Sequence, residues 1–239
     1  MGWSQTQIAG KDADFYEPDG DDDRPRGVVL FLHGYDGVTL RDNPSYTNEL
    51  QRHRLAGVCP HGSECWWTDE IYPPFDEGVS PIEYLASEIP AWCQERWQIE
   101  PPRIGVTGVE MGGQGALQLA YRHARLFPLV VAIAPKIDFE SWWGHGLSLD
   151  TLFPDREAAR QRTATLHLHP LNYPKHQLLL CDPADVYCIE GTVTLASKLS
   201  STGIPFEHDL LTSHGGFGWN YANQMAPRTI EFIAIKMDE

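Results

Sequence analysis

The chain is poor in basic residues: 18 lysines and arginines stand against 33 aspartates and glutamates, a formal net charge of −15 over 239 residues. Such a balance repels phosphate backbones and anionic headgroups, which argues against nucleic acid or an anionic membrane as a partner. Long apolar runs are also missing. No stretch approaches the roughly 20 residues that a bilayer span needs, and Met1–Gly10 has neither the basic opening nor the apolar core of a secretory leader. A soluble, cytoplasmic protein is expected. Cysteine is scarce and odd in number, with Cys59, Cys65, Cys93, Cys181 and Cys188 scattered through apolar or aromatic surroundings. That pattern fits free thiols in a reducing compartment rather than a disulfide framework. Cys59, His61, Glu64 and Cys65 lie close together but lack a second matching pair, so no metal site is expected, and no cofactor either.

What is present is an alternation of strand and helix patterns. Trp3–Ile8 and Asp12–Tyr16 read as short opening strands, followed by a polar, aspartate-rich loop at Glu17–Arg26. Gly27–Leu32, Leu55–Cys59, Arg103–Gly108, Leu129–Ala134 and Gln177–Cys181 are continuous apolar runs, the signature of strands buried on both faces. Helical spacing appears at Ser80–Trp97, where Pro90 is expected to kink or break the helix, and at Gly113–Ala124 and Thr192–Ser200. A strand at Phe206–Leu211 and a helix at Asn223–Lys236 close the chain. Such alternation predicts a mostly parallel sheet covered on both faces, built as one domain over residues 1–239. Lys136–Lys175 is too long for a plain crossover, and its Trp142-Trp143, Tyr173 and prolines suggest an excursion over a site.

The chemistry centres on Gly108-Val109-Glu110-Met111-Gly112, between the run Arg103–Gly108 and the helical stretch that follows. The glycines have the frame of a G-x-S-x-G nucleophile elbow. There a nucleophile occupies a strained strand-to-helix turn, glycines permit close approach, and N–H groups at the helix start hold an oxyanion. The serine is missing. A carboxylate, Glu110, stands in its place.

Leu32-His33-Gly34, the string Gly108-x-x-Met111-Gly112-Gly113-x-Gly115-Ala116-Leu117, Cys181-Asp182-Pro183-Ala184-Asp185 and the late Gly215-Gly216 occur in one order along nearly the whole chain. Together they resemble the esterase D and S-formylglutathione hydrolase branch of the α/β-hydrolase superfamily. The resemblance implies an α/β-hydrolase fold, a mostly parallel central sheet flanked by helices. It also implies a triad in the chain order serine, acid, histidine. The serine falls on Glu110 and the acid on Asp185, with Asp182 as second choice. The histidine, expected after the double glycine, falls on Phe217. Two of three triad positions are therefore replaced, and Phe217 cannot accept a proton as the base of ester hydrolysis must. His214, three positions earlier, is the candidate substitute. By resemblance, His33 and Gly34 structure the oxyanion loop, and the N–H groups of Tyr35 and Met111 line the oxyanion hole.

Three readings of Glu110 stay open: a nucleophile, a general base whose pKa is raised by burial, or a carboxylate folded back into a retired oxyanion hole. Trp66, Trp67, Trp142, Trp143, Phe217 and Trp219 read either as walls of a pocket for a small apolar or aromatic ligand or as core packing. The expectation is a degenerate esterase homologue, a pseudoenzyme without Ser-His-Asp hydrolysis, that keeps a ligand pocket or an interaction role. The alternative is an active hydrolase or lyase using Glu110 with Asp185 and His214. A subunit of a homo-oligomer is a third reading, since related esterases often pair.

Overall fold

The computed structural model describes residues 2–20 and 24–239. Met1 and residues 21–23, part of the polar loop expected at Glu17–Arg26, lie outside them. The chain opens with a hairpin of β1 (Trp3–Ile8) and β2 (Lys11–Tyr16), then β3 (Gly27–Leu32), α1 (Pro44–His53) and β4 (Leu55–Pro60). Next come α2 (Pro81–Trp97), β5 (Ile104–Val109), α3 (Met111–Arg122) and β6 (Leu129–Ile133). Three short helices follow, α4 (Phe139–Trp142), α5 (Leu149–Leu152) and α6 (Arg156–Gln161), then β7 (His176–Leu180). The last elements are α7 (Ile189–Thr202), β8 (Glu207–Asp209), α8 (Trp219–Gln224) and α9 (Ala226–Lys236).

The strands form one sheet in the order β1-β2-β4-β3-β5-β6-β7-β8. Pairing is parallel from β4 through β8, and antiparallel only where β1 and β2 join its edge. Alternation along β3 shows why both faces are covered. Val28, Leu30 and Leu32 pack into one core with the apolar faces of α2 and α3, while Val29 and Phe31 pack into the other with α1 and α9. Polar strand residues gather toward the two edges, in β1 and β2 on one side and in β8 on the other, as an edge allows.

Local chemistry explains where the helices start and stop. Asn43 caps α1 by accepting from the N–H of Ser45, with Pro44 at the first helical position. Its apolar positions, Tyr46 and Leu50, are too few to give a periodic signal, and α1 is not among the helices expected from the sequence. Ser80 caps α2 through the N–H of Glu83. The break expected at Pro90 does not occur. One backbone hydrogen bond is lost there, but Ile82, Leu85, Ile89 and Cys93 bury a continuous face that keeps the helix in register. At the other end, the single helix expected over Asn223–Lys236 is two, divided at Met225, because Pro227 has no N–H for the carbonyl of Asn223. Among the described residues, no helix is long and apolar enough to cross a membrane.

Candidate functional site

The carboxyl ends of β3, β5 and β6 meet at Glu110, the single residue between β5 and α3. Its backbone sits at φ 56°, ψ −114°, a region that side chains avoid and that persists only when its surroundings fix it. The surroundings do so. A Cβ on Gly112 would lie 1.8 Å from the carbonyl oxygen of Leu32, and one on Gly108 2.4 Å from that of Gly112, so only glycines let α3 start this close to the sheet. The Glu110 N–H donates to Ile133 at 3.0 Å, and its carbonyl accepts from Gln114 at 3.2 Å and Lys136 at 3.1 Å.

Its carboxylate is held at both oxygens. Oε2 accepts the N–H of Tyr35 at 2.7 Å, and Oε1 forms an ion pair with Nζ of Lys136. Met111, the first residue of α3, is fully buried but donates nothing to this side chain, so of the two amides expected to hold the carboxylate only Tyr35 does so. Lys136 supplies the second anchor. The lysine is buried, and its Nζ lies 4.2 Å from the ring centre of Trp142 and 5.6 Å from that of Phe217. Sequence motifs assign Lys136 no role. The available signal was a lone cation two positions past the apolar run Leu129–Ala134, at the strand end where α/β sheets place their ligands.

His33 buttresses the turn that presents the Tyr35 amide. Its Nδ1 donates to the carbonyl of Gly34 at 2.7 Å and its Nε2 accepts from the N–H of Gly62 at 2.9 Å, which fixes a neutral ring. Burial also pushes its pKa below the ordinary histidine value. Trp67 donates its indole N–H to the His33 carbonyl at 3.1 Å. Trp66 donates its own to Ser148 Oγ at 3.1 Å, and its carbonyl accepts from the Gln114 amide. Both tryptophans are wholly buried and line no part of the cavity beside Glu110, which corrects their reading as pocket walls. Trp67 is instead the packing partner of Gly62 and Gly115, where any Cβ would strike its ring.

The two candidate acids differ in what surrounds them. Burial would raise the pKa of Asp182, but the N–H groups of Ala184, His214 and Gly216 and the hydroxyl of Ser213 hold it down to about 2. It clamps the end of β7 to the 213–216 loop. Asp185 is fully buried; one oxygen accepts from Tyr187 at 3.0 Å and Cys188 at 3.1 Å, and Oδ2 has no partner. Burial raises its pKa. The resemblance puts a histidine at Phe217, whose ring has no N–H to offer the unpartnered oxygen.

Phe217 is about half exposed, and its ring meets Tyr187 edge-on at 5.5 Å. His214 is tied through its main chain, donating to Asp182 and accepting from Asn220 at 2.7 Å. Its imidazole forms no hydrogen bond or ion pair with Glu110 and takes no part in the cavity wall, so the structure does not bring the two together. That cavity, about 310 Å³, opens beside Glu110 between Tyr35, Ile133, Phe217, Trp219 and Tyr221. Among the described residues no group of three or more His, Cys, Asp or Glu side chains is arranged to hold a metal ion.

Comparison with known proteins adds to this picture. The family model described as Putative esterase matches residues 12–181. An S-formylglutathione hydrolase from Paracoccus denitrificans is 26% identical over 115 residues, 48% of this chain and 41% of the relative, so the match spans less than half of that protein. An S-formylglutathione hydrolase structure from Agrobacterium tumefaciens superposes with a TM-score of 0.78 at 17% identity, covering 98% of this chain and 94% of the other. One from Staphylococcus aureus gives 0.80 at 14% identity, covering 97% and 96%. At such identities the structures share the α/β-hydrolase fold.

Proposed function

Because the chain belongs to this esterase family of the α/β-hydrolase fold, we propose that it is a member whose site has left serine-ester hydrolysis and binds a small apolar or aromatic ligand instead. The observation that carries the reading is the state of the Glu110 carboxylate. Acyl transfer needs a nucleophile free to attack and oxyanion donors free to receive charge. Here the residue at the nucleophile's position spends one oxygen on the Tyr35 amide and the other on Lys136. Among the described residues no histidine is bonded to it: Phe217 has no proton acceptor, and the His214 ring makes no bond to Glu110. A carboxylate whose two oxygens already accept from an amide and an ammonium is a poor attacking group, although lone pairs remain on it for a hydrogen-bonded ligand. What remains is a mostly apolar cavity of about 310 Å³, the size and character of a small-ligand site.

The experiment is exposure of the purified protein to a fluorophosphonate probe, read by intact mass. The expected result is an unmodified mass. A stoichiometric phosphonyl adduct on any serine at this site would overturn the reading.

A further inference from the structure

The charges around the cavity name its ligand more closely than its apolar walls do. Two carboxylates line it, Glu110 and Asp36, and among the described residues no basic side chain does. Both lie against Gly34. A Cβ on that glycine would be 2.6 Å from Glu110 Oε2 and 3.4 Å from Asp36 Oδ1, which places the two oxygens no more than about 6 Å apart. Like charges this close disfavour one another, and the Lys136 ammonium offsets only one of them. The site is left with one negative charge.

Neither carboxylate is saturated. Asp36 accepts the Trp219 indole N–H at 2.9 Å and the Val38 N–H at 3.1 Å, and Glu110 accepts its two bonds from Tyr35 and Lys136, whereas an ionised carboxylate offers about four acceptor positions.

We propose that the cavity binds a small monoamine, its ammonium bridging Glu110 and Asp36 and its apolar body lying against Ile133, Phe217 and Trp219; this rests on the ligand-binding reading above. Charge-assisted bonds of about 2.8 Å to each oxygen span the available gap. The ammonium cancels the leftover charge, and the aromatic faces at the rim favour a cation further. A carboxylic acid would instead add a third negative charge, and a neutral ester or alcohol would leave the existing one uncompensated. In size, the space is about twice the roughly 150 Å³ that accepts one benzene ring, so a ring with a short aminoalkyl arm fits.

Benzylamine, benzyl alcohol and benzoate share one ring and differ in charge, and calorimetry or Trp219 quenching on the full chain reads each. Benzylamine is expected to bind at least about tenfold more tightly than benzyl alcohol, with benzoate weaker than both. Asp36→Asn, an exposed change whose folding is checked by circular dichroism, should remove most of that preference, read as the ratio of amine to alcohol affinity in the same protein. Equal binding of amine and alcohol, a preference for benzoate, or an unchanged preference in Asp36→Asn would overturn the amine assignment while leaving the pocket itself in place. Binding of none of the three would overturn both.

Discussion

At the scale of single residues, the account turns on the pair Glu110–Lys136. Two charges largely withdrawn from water repay their desolvation only while both are present, and removing one strands the other. Lys136→Met should therefore lower stability by about 3 kcal/mol. The double change Glu110→Gln with Lys136→Met should recover much of the loss. Denaturant midpoints of the four proteins close the cycle, and simple additivity of the two single changes would show that the pair is not coupled. Half of this site was legible in the sequence. Glu110 and Phe217 could be found because each interrupts a glycine frame whose remaining members are dictated by backbone contact, as the Gly112 and Gly108 approaches show. Lys136 was announced only by being a lone cation just past an apolar run. Its role is the ion pair of its Nζ with Glu110, set up by the bond from its own N–H to the Glu110 carbonyl, a tertiary contact between strand ends.

Elements are joined here by buried carboxylates, and the two on the loop after β7 should respond to acid in opposite directions. The folded pKa of Asp182, about 2, lies below its usual 3.8, so its stabilising contribution is complete above 3.8 and is lost as the pH falls through about 2. Asp182→Asn should cost about 2 kcal/mol near neutrality, since it replaces a carboxylate that accepts four hydrogen bonds, and the gap from wild type should narrow across that interval. Asp185 is the reverse case. Its folded pKa is raised by burial, so the penalty sets in as the pH rises from 3.8 through the raised value and is relieved on acidification. Asp185→Asn should be neutral or stabilising at pH 7, an advantage that disappears in acid. Thermal melts from neutral pH downward read both, and an Asp182→Asn protein as stable as wild type at pH 7, or an Asp185→Asn protein less stable than wild type there, would contradict the assignment of clamp and orphan. The strands themselves were readable to within a residue or two in the buried sheet, because a short continuous apolar run between turn residues has to be covered on both faces. The helices that differ from expectation do so for reasons of context: α1 depends on its caps, α2 outlasts Pro90 by packing, and Pro227 divides α8 from α9.

For the whole molecule, the family fold is kept, while a carboxylate and an aromatic ring stand where the resemblance puts the serine and the histidine. The sheet order, the strained turn at Glu110 and the glycine contacts that enforce it are those of an α/β-hydrolase fold, and they remain intact because packing requires them whatever residue occupies the turn. Activity depends on far fewer atoms. On the proposed reading, a carboxylate at the serine position and an aromatic ring at the histidine position remove ester hydrolysis while leaving the fold untouched. The most direct measurement is hydrolysis of an activated aryl ester by three proteins: wild type, Glu110→Gln, and Glu110→Ser combined with Phe217→His. The account predicts background rates for the first two and measurable turnover for the third, in which Asp185 regains a histidine to orient. Turnover by wild type that is lost in Glu110→Gln would contradict it, by showing that the carboxylate at the turn performs chemistry rather than filling the space where chemistry used to occur.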